Sequence, residues 1–208
     1  MTDGPRILTL AWSDALDESS LSGMPWNMRQ ALGRAGCAVE VAEIGALGTL
    51  SPPRVVAARA GILRYVRDGV RGCYESLLPG RVRNALEKKA VEAARRADEA
   101  IRRSSPDIVF GPCMSRPLGF LETSKPILYA SDATASLLLD TYDVHRSRGS
   151  GWRTACLDFE TRALARADRV AVSSDFTRRS AIEDHHADPT KVSVVPMGAN
   201  IEIDRDAR

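Results

Sequence analysis

RILTLAW (residues 6–12), PWNMRQALGRAG (25–36) and CAVEVAEI (37–44) decide the fold class of this protein. The first stretch is a short apolar run, which is typical of a buried parallel strand. In the second, Pro25 suits the first turn of a helix and Gly36 suits the position just after one ends. The third alternates and is rich in valine, as expected of a second strand. Strand, helix and strand within about 40 residues predict a βαβ unit.

The alternation of strands and helices continues to the end of the chain. Two helices are predicted at about 54–78 and 81–104, separated by Pro79-Gly80. Residues 1–195 are therefore predicted to form an α/β domain with a single Rossmann-like, doubly wound, mostly parallel sheet. The remaining predicted strands are 106–111, 126–130, 169–173 and 191–195, and the remaining helices are about 117–122, 133–140, 152–167 and 175–184.

Length and composition limit the protein class. The 208 residues are enough for one ordinary domain. With 44% hydrophobic and 27% charged residues, the chain is neither disordered nor fibrous. It has no run of ~18 apolar residues for a membrane span. The N-terminus lacks the basic and then apolar start of a secretory signal, so a cytoplasmic location is predicted.

The cysteines and histidines predict no metal site and no cofactor. None of the four cysteines belongs to a C-x-x-C pair, and none has a histidine at zinc-ligand spacing. They are interpreted as reduced, mostly buried thiols. His185 and His186 are adjacent and are predicted to lie on the exposed end of a helix. The cysteines are Cys37, Cys73, Cys113 and Cys156.

Positive charge is concentrated in the middle of the chain. Residues 54–103 hold 13 Arg or Lys against 6 Asp or Glu, a net charge of +7, whereas the whole chain is at +2. One interpretation is peripheral contact with the inner membrane face, where each basic residue contributes about 1 kcal/mol. The alternative is an ordinary solvated helix face. Nucleic acid is disfavoured, because aromatic residues do not interleave with the arginines.

Three common motifs, two for nucleotide binding and one for catalysis, are absent from the sequence. There is no G-x-G-x-x-G after the first strand and no G-x-x-x-x-G-K-[ST] anywhere, which disfavours an NAD enzyme and a P-loop NTPase. There is also no G-x-S-x-G, which disfavours an α/β-hydrolase.

Candidate site residues lie where predicted strands end, because ligands of open α/β sheets bind beyond the carboxyl ends of the strands. Ser22-Gly23 precedes a helix, and it either binds phosphate at the helix start or makes a turn. Asp132 either accepts a hydrogen bond from a sugar hydroxyl or caps the next helix. Ser174 and Asp175 have the same two interpretations, and capping is favoured for them.

Several segments, in order, resemble the N-terminal half of a glycosyltransferase family 4 enzyme with the GT-B fold. The most specific is KVSVVPMGAN (191–200), followed by LETSKPILYASDAT (121–134). SGMPWNMRQAL (22–32), PDIVFGP (106–112) and ETRALARAD (160–168) extend the similarity. Between residues 45 and 105 no motif of the family is recognised in the sequence.

The resemblance implies transfer of a sugar from a nucleotide-diphosphate sugar to a hydroxyl acceptor, with retention at the anomeric carbon and without a metal. Asp132 would be the catalytic residue that orients the acceptor hydroxyl, and Ser22 and Gly23 would lie near the donor diphosphate. Residues 196–208 would begin the hinge to a second, nucleotide-sugar-binding domain. The acceptor side of the cleft would include Thr134, Ser174, Asp175 and Asn200.

The E-x7-E motif that such second domains carry is absent from this sequence. The chain alone is therefore expected to be inactive. Two alternatives stay open: a free-standing, non-catalytic binding module derived from half of a GT-B enzyme, and an unrelated flavodoxin-like or epimerase-like domain.

Overall fold

The six strands among the described residues form one sheet in which every neighbouring pair is parallel. A computed structural model describes residues 4–12, 23–45, 77–142 and 148–198 of the chain. The predicted α/β class and Rossmann-like sheet are confirmed. Within the described ranges, the strands are β1 (Arg6–Ala11), β2 (Ala38–Glu43), β3 (Ile108–Pro112), β4 (Ile127–Ser131), β5 (Arg169–Val172) and β6 (Val192–Val194).

Helices connect most of these strands. The predicted boundaries are correct to within a few residues, except that the short helix expected over 117–122 lies earlier in the chain. In the same described ranges, the helices are α1 (Met24–Arg34), α2 (Pro79–Ser104), α3 (Ser115–Leu118), α4 (Ala135–Thr141), α5 (Ser150–Arg166) and α6 (Asp175–Glu183). The helix predicted at 54–78 lies almost wholly outside the described residues.

The strand order, β2-β1-β3-β4-β5-β6, places a crevice at the edge formed by the carboxyl ends of the strands. The chain goes from β1 to β2 on one side and then returns past β1 to β3 on the other. Connections that leave neighbouring strands in opposite directions open a crevice beyond their carboxyl ends, where ligands of such folds bind. The crevice therefore lies beyond the carboxyl ends of β1 and β3.

The core occupies both faces of the sheet. On one face, Ile7, Phe110 and Ala130 pack against Met28 and Leu32 of α1. On the other, a larger cluster joins alternate strand residues to apolar residues of α2 and α5. Leu10 in β1 is completely buried there. Complete burial of a leucine side chain contributes about 1.5–3 kcal/mol to the stability of the fold. This packing stabilises the central strands, whose carboxyl ends form the crevice.

The end of α1 explains the glycine predicted there. Gly36 has φ 89°, a left-handed conformation that favours glycine. The Gly36 amide donates to the Gly33 carbonyl, and the Cys37 amide donates to the Leu32 carbonyl. Those two hydrogen bonds form a Schellman motif, which satisfies carbonyls at the helix end. The predicted helix stop at Gly36 is confirmed.

The prediction that His185 is exposed is wrong. The helix α6 ends at Glu183, so both histidines lie in the turn after it, and the chain there points His185 inward. His185 is 2% exposed. Its Nε2 lies 3.0 Å from Ser136 Oγ and its Nδ1 lies 2.9 Å from Thr161 Oγ1, which links α4 to α5. Burial lowers its pKa.

The cysteine prediction is confirmed in part. Cys37, Cys113 and Cys156 are free thiols, but they are half-buried rather than fully buried. Cys73 lies outside the described residues.

Candidate functional site

The carboxyl ends of the parallel strands bring the predicted residues to one edge of the sheet. Gly23 opens α1 after β1, and Asp132 follows β4 directly. Ser174 and Asp175 follow β5. Ser22 and Asn200 lie outside the described residues, so their roles stay predictions.

Gly23 makes a left-handed turn at the start of α1. Its φ is 73° and it occupies the N-cap position without a capping side chain. Asn27 Nδ2 donates a 2.8 Å hydrogen bond to the Gly23 carbonyl, which fixes the turn. The first amides of a helix have no partner within the helix, and the helix dipole places positive charge there. The turn interpretation is therefore confirmed, and phosphate binding at this helix start stays a prediction.

Asp132 is held at the edge through its backbone. Its carbonyl accepts hydrogen bonds from Ser173 Oγ at 2.9 Å and from Thr177 Oγ1 at 2.7 Å. The side chain is exposed. No described residue donates a hydrogen bond to its carboxylate, and Thr134 rather than Asp132 caps α4. The capping alternative for Asp132 is wrong, and the carboxylate stays available to a ligand.

The Thr134 side chain is buried, and its hydroxyl forms hydrogen bonds within the fold. It is 1% exposed, and its Oγ1 accepts a hydrogen bond from the Leu137 amide. The same oxygen lies 2.6 Å from Ser180 Oγ, which connects α4 to α6. Thr134 thus positions the start of α4 two residues after Asp132.

Ser174 also caps a helix. Its Oγ accepts a 3.2 Å hydrogen bond from the Thr177 amide at the start of α6. Asp175 is exposed in the first turn, where a carboxylate interacts favourably with the helix dipole. The capping interpretation that was favoured for Ser174 is confirmed.

A buried acid that the sequence analysis missed lies beneath this edge. Glu160 of α5 is 3% exposed, and its Oε1 accepts a 2.8 Å hydrogen bond from the Tyr129 hydroxyl. Burial raises the pKa of Glu160 to about 7, although hydrogen bonds from Tyr129 and Ser115 oppose that shift. The available signal was the spacing of Glu160 from Cys156 and from Ala163, which puts it on the inward face of the helix.

Cys113 lies close enough to both Glu160 and Asp132 for their charges to affect its pKa. It follows β3 with φ 55°, and its amide donates to the Ala130 carbonyl at 2.8 Å. Its pKa is raised to about 12, first by burial and then by the charges of Asp132 and Glu160. A thiol with so high a pKa is a poor nucleophile at neutral pH. Cys113 is therefore not a candidate nucleophile at this edge.

A small pocket of about 140 Å³ adjoins Glu160. Its walls are mostly apolar and include Leu138, Leu139, Trp152 and Phe159. The described residues contain no group of three or more His, Cys, Asp or Glu side chains placed to hold a metal ion. No helix in those ranges combines the length and apolar composition that a membrane span requires.

Comparison with known proteins identifies the family. The sequence model of Glycosyltransferase Family 4 matches residues 26–203. The solved structure of the glycosyltransferase SnogD from Streptomyces nogalater is 14% identical to this chain, with a TM-score of 0.43. That alignment covers 96% of this chain and 54% of SnogD, so this chain spans about half of that length. No curated protein sequence matches significantly. Because the family model matches most of the sequence, the chain belongs to Glycosyltransferase Family 4.

Proposed function

We propose that this chain is the acceptor-binding half of a retaining glycosyltransferase that transfers a sugar from a nucleotide-diphosphate sugar to a hydroxyl acceptor. Family membership supports the reaction class. The observation that carries the acceptor-side role is Asp132: its backbone is fixed by two hydrogen bonds, and its exposed carboxylate is not used as a helix cap.

In the proposed reaction, the Asp132 carboxylate accepts a hydrogen bond from the acceptor hydroxyl. That contact orients the oxygen and increases its electron density as it attacks the anomeric carbon. The bond between that carbon and the diphosphate breaks in the same reaction. Negative charge builds up on the leaving diphosphate, and the start of α1 at Gly23 is suited to stabilising it.

The nucleotide is proposed to bind a second domain that residues 196–208 lead to. The E-x7-E motif is absent from the 208 residues, which supports donor recognition outside this sequence. The 208-residue chain is then inactive by itself. Asn200 is retained as a proposed cleft residue on the hinge.

Peripheral membrane contact through residues 54–103 stays a proposal, together with a location at the inner membrane face. Within the described part, α2 supplies the basic residues of this segment. Its ion pairs reduce the charge available to lipid, because Glu92 binds Arg95 and Arg96 and Glu99 binds Arg95. Co-sedimentation with anionic liposomes at low salt tests the contact, and no binding would remove it.

Sugar transfer by the protein with its downstream sequence tests the proposed function. The full-length protein is incubated with a panel of nucleotide-diphosphate sugars and candidate hydroxyl acceptors. We expect acceptor-dependent release of the nucleoside diphosphate, with the anomeric configuration of the donor retained in the product. Titration calorimetry on the full-length protein and on the 208-residue chain locates the donor site. Absence of transfer from every donor would contradict the proposal.

A further inference from the structure

A second pocket, of about 390 Å³, lies at the carboxyl ends of β1 and β2. Trp12 enters it from the end of β1, and Gly45 enters it from the end of β2. Its opposite wall comes from one face of α2. The charged side chains that line it are Lys88, Lys89, Glu92, Arg96 and Arg116. The pocket adjoins the crevice beyond β1 and β3 but does not include Asp132.

Positive charge dominates this pocket. Its lining holds four cations and one carboxylate, so its formal charge is +3. The carboxylate, Glu92, is shared: its Oε1 accepts hydrogen bonds from Arg96 Nε and from Arg95 Nη2, both at 3.1 Å. The Arg95 hydrogen bond is the largest of the causes that lower the Glu92 pKa. Glu92 therefore stays ionised, and it does not neutralise Lys88 or Lys89.

At the end of β2, Gly45 leaves space for the guanidinium of Arg96 because it has no side chain. Gly45 has φ 115°, and a Cβ at that position would lie 2.9 Å from Arg96 Nη1. The guanidinium of Arg96 thus lies close against the Gly45 backbone. A side chain on residue 45 would force Arg96 to move, so glycine here keeps the cation at the strand end.

Arg116 brings a desolvated cation to the same pocket. Its pKa is lowered to about 10, first by burial, while the charge of Arg148 lowers it further and Cys156 opposes the shift. Its guanidinium is one of the four cations in the pocket lining and contributes to the formal charge of +3.

Trp12 contributes an unused hydrogen-bond donor. It is 6% exposed, and its Nε1 has no acceptor among the described residues. The indole N–H is a donor only, and burying it without an acceptor is energetically unfavourable. A ligand oxygen in the pocket that Trp12 lines would remove that cost.

We propose that this pocket binds a phosphate group carried by a soluble acceptor of the transferase, an inference that rests on the proposed function. The lining charge of +3 matches a phosphate dianion better than a single carboxylate. Guanidinium groups bind phosphate through paired hydrogen bonds, whereas lysines act as point charges. The pocket volume leaves room for more of the ligand than the phosphate alone.

The position of the pocket relative to Asp132 fits such an acceptor. Neighbouring strands lie about 4.8 Å apart, so the ends of β1 and β4, with β3 between them, are about 10 Å apart. A sugar-sized phosphomonoester spans that distance. The phosphate would anchor the acceptor beyond β1, where Trp12 lines the pocket, and the acceptor hydroxyl would then reach Asp132 at the end of β4.

Titration of the 208-residue chain with inorganic phosphate at constant ionic strength tests the site. The readout is the indole N–H resonance of Trp12, assigned with Trp12→Phe. We expect a saturable shift of that resonance. Lys88→Gln with Lys89→Gln, and separately Arg96→Gln, weaken binding by roughly tenfold or more. The matched control is Arg102→Gln with Arg103→Gln, which removes two charges from the exposed end of the same helix and leaves the affinity unchanged.

No saturable shift in the unaltered chain would overturn the proposal. Equal weakening by the pocket and control pairs would also overturn it, because general electrostatic attraction would then explain the binding. Phosphatidylglycerol vesicles form the second arm. If the pocket variants lose vesicle binding while phosphate gives no saturable shift, the ligand is a lipid headgroup and the soluble acceptor is wrong.

The titration requires no donor sugar, so its failure is distinguishable from failure of the proposed function. Phosphate binding without sugar transfer in the full-length protein would remove the proposed function and the acceptor assignment together. Sugar transfer without phosphate binding would remove only this inference.

Discussion

The Tyr129 hydroxyl donates a 2.8 Å hydrogen bond to the buried carboxyl group of Glu160 and thereby joins β4 to α5. Both side chains are almost completely buried. The bond lies three residues before Asp132 in the chain, beneath the edge where the proposed acceptor binds. The free energy of unfolding should therefore depend on the protonation of Glu160.

Stability should fall as the pH rises from about 4.5 to about 7. Burial raises the folded-state pKa of Glu160 from 4.5 to about 7, so in this window the folded state keeps a proton that the unfolded state has lost. Below about pH 4.5 the burial of Glu160 does not destabilise the fold, because the carboxyl group is protonated in both states. Above about pH 7 the full destabilisation applies, because the buried group is ionised. A shift of this size corresponds to roughly 3 kcal/mol. Urea unfolding of the unaltered chain and of Glu160→Gln, at several pH values, measures the difference.

Glu160→Gln keeps the shape and the acceptor oxygen, so its stability should lack this part of the pH dependence. Tyr129→Phe is the complementary variant. It removes the donor and should raise the Glu160 pKa further, at a cost of about 1–3 kcal/mol. Parallel pH profiles for Glu160→Gln and the unaltered chain would contradict the assigned pKa.

Helix capping by Thr134 and Ser174 can be separated from a role in the cleft. Thr134→Val and Ser174→Ala should each destabilise the chain by about 1–2 kcal/mol, because the amides of Leu137 and Thr177 lose their acceptors. Thr134→Ser and Ser174→Thr keep the hydroxyl and should restore stability. Thermal unfolding of the 208-residue chain measures each effect. Stability unchanged by the removal of either hydroxyl would refute its capping role.

The conformation of Gly23 makes its substitution informative. Gly23→Ala places a Cβ at φ 73° and should cost about 1–2 kcal/mol. Gly23→Asn should cost less, since asparagine tolerates the left-handed region. Gly80→Ala is the matched control: it lies within α2, where a Cβ meets nothing within 4 Å, and it should be neutral or slightly stabilising. Equal costs at the two positions, measured by urea unfolding, would contradict the strained turn at Gly23.

The fold was predictable because local and long-range preferences agree in this chain. The stretch from Arg6 to Ile44 combines an apolar run, a proline at a helix start and a glycine at a helix end, and each signal depends on only a few neighbouring residues. The parallel sheet follows from the regular alternation of strands and helices.

The details of the site were less predictable, because they depend on contacts between distant segments. The sequence predicted Asp132 as the possible cap of α4, whereas Thr134 is the cap in the structure. The Thr134 hydroxyl also forms a hydrogen bond with Ser180, which lies 46 residues further along the chain. The burial of Glu160 depends in part on β4, because Tyr129 of that strand is buried with it and donates a hydrogen bond to its carboxyl group. The inward position of His185 follows from a helix that ends two residues earlier.

The most direct test of the central claim is the activity of Asp132→Asn in the protein with its proposed second domain. The variant keeps the size of the side chain and the backbone carbonyl that Ser173 and Thr177 bind, but it removes the charge that receives the acceptor hydroxyl. We predict that kcat/KM for the acceptor falls by about 10²–10⁴-fold while the thermal unfolding temperature and donor affinity stay unchanged. Glu183→Gln, an exposed acid at the far end of α6, is the control and should retain full activity. Full activity in Asp132→Asn would contradict the account.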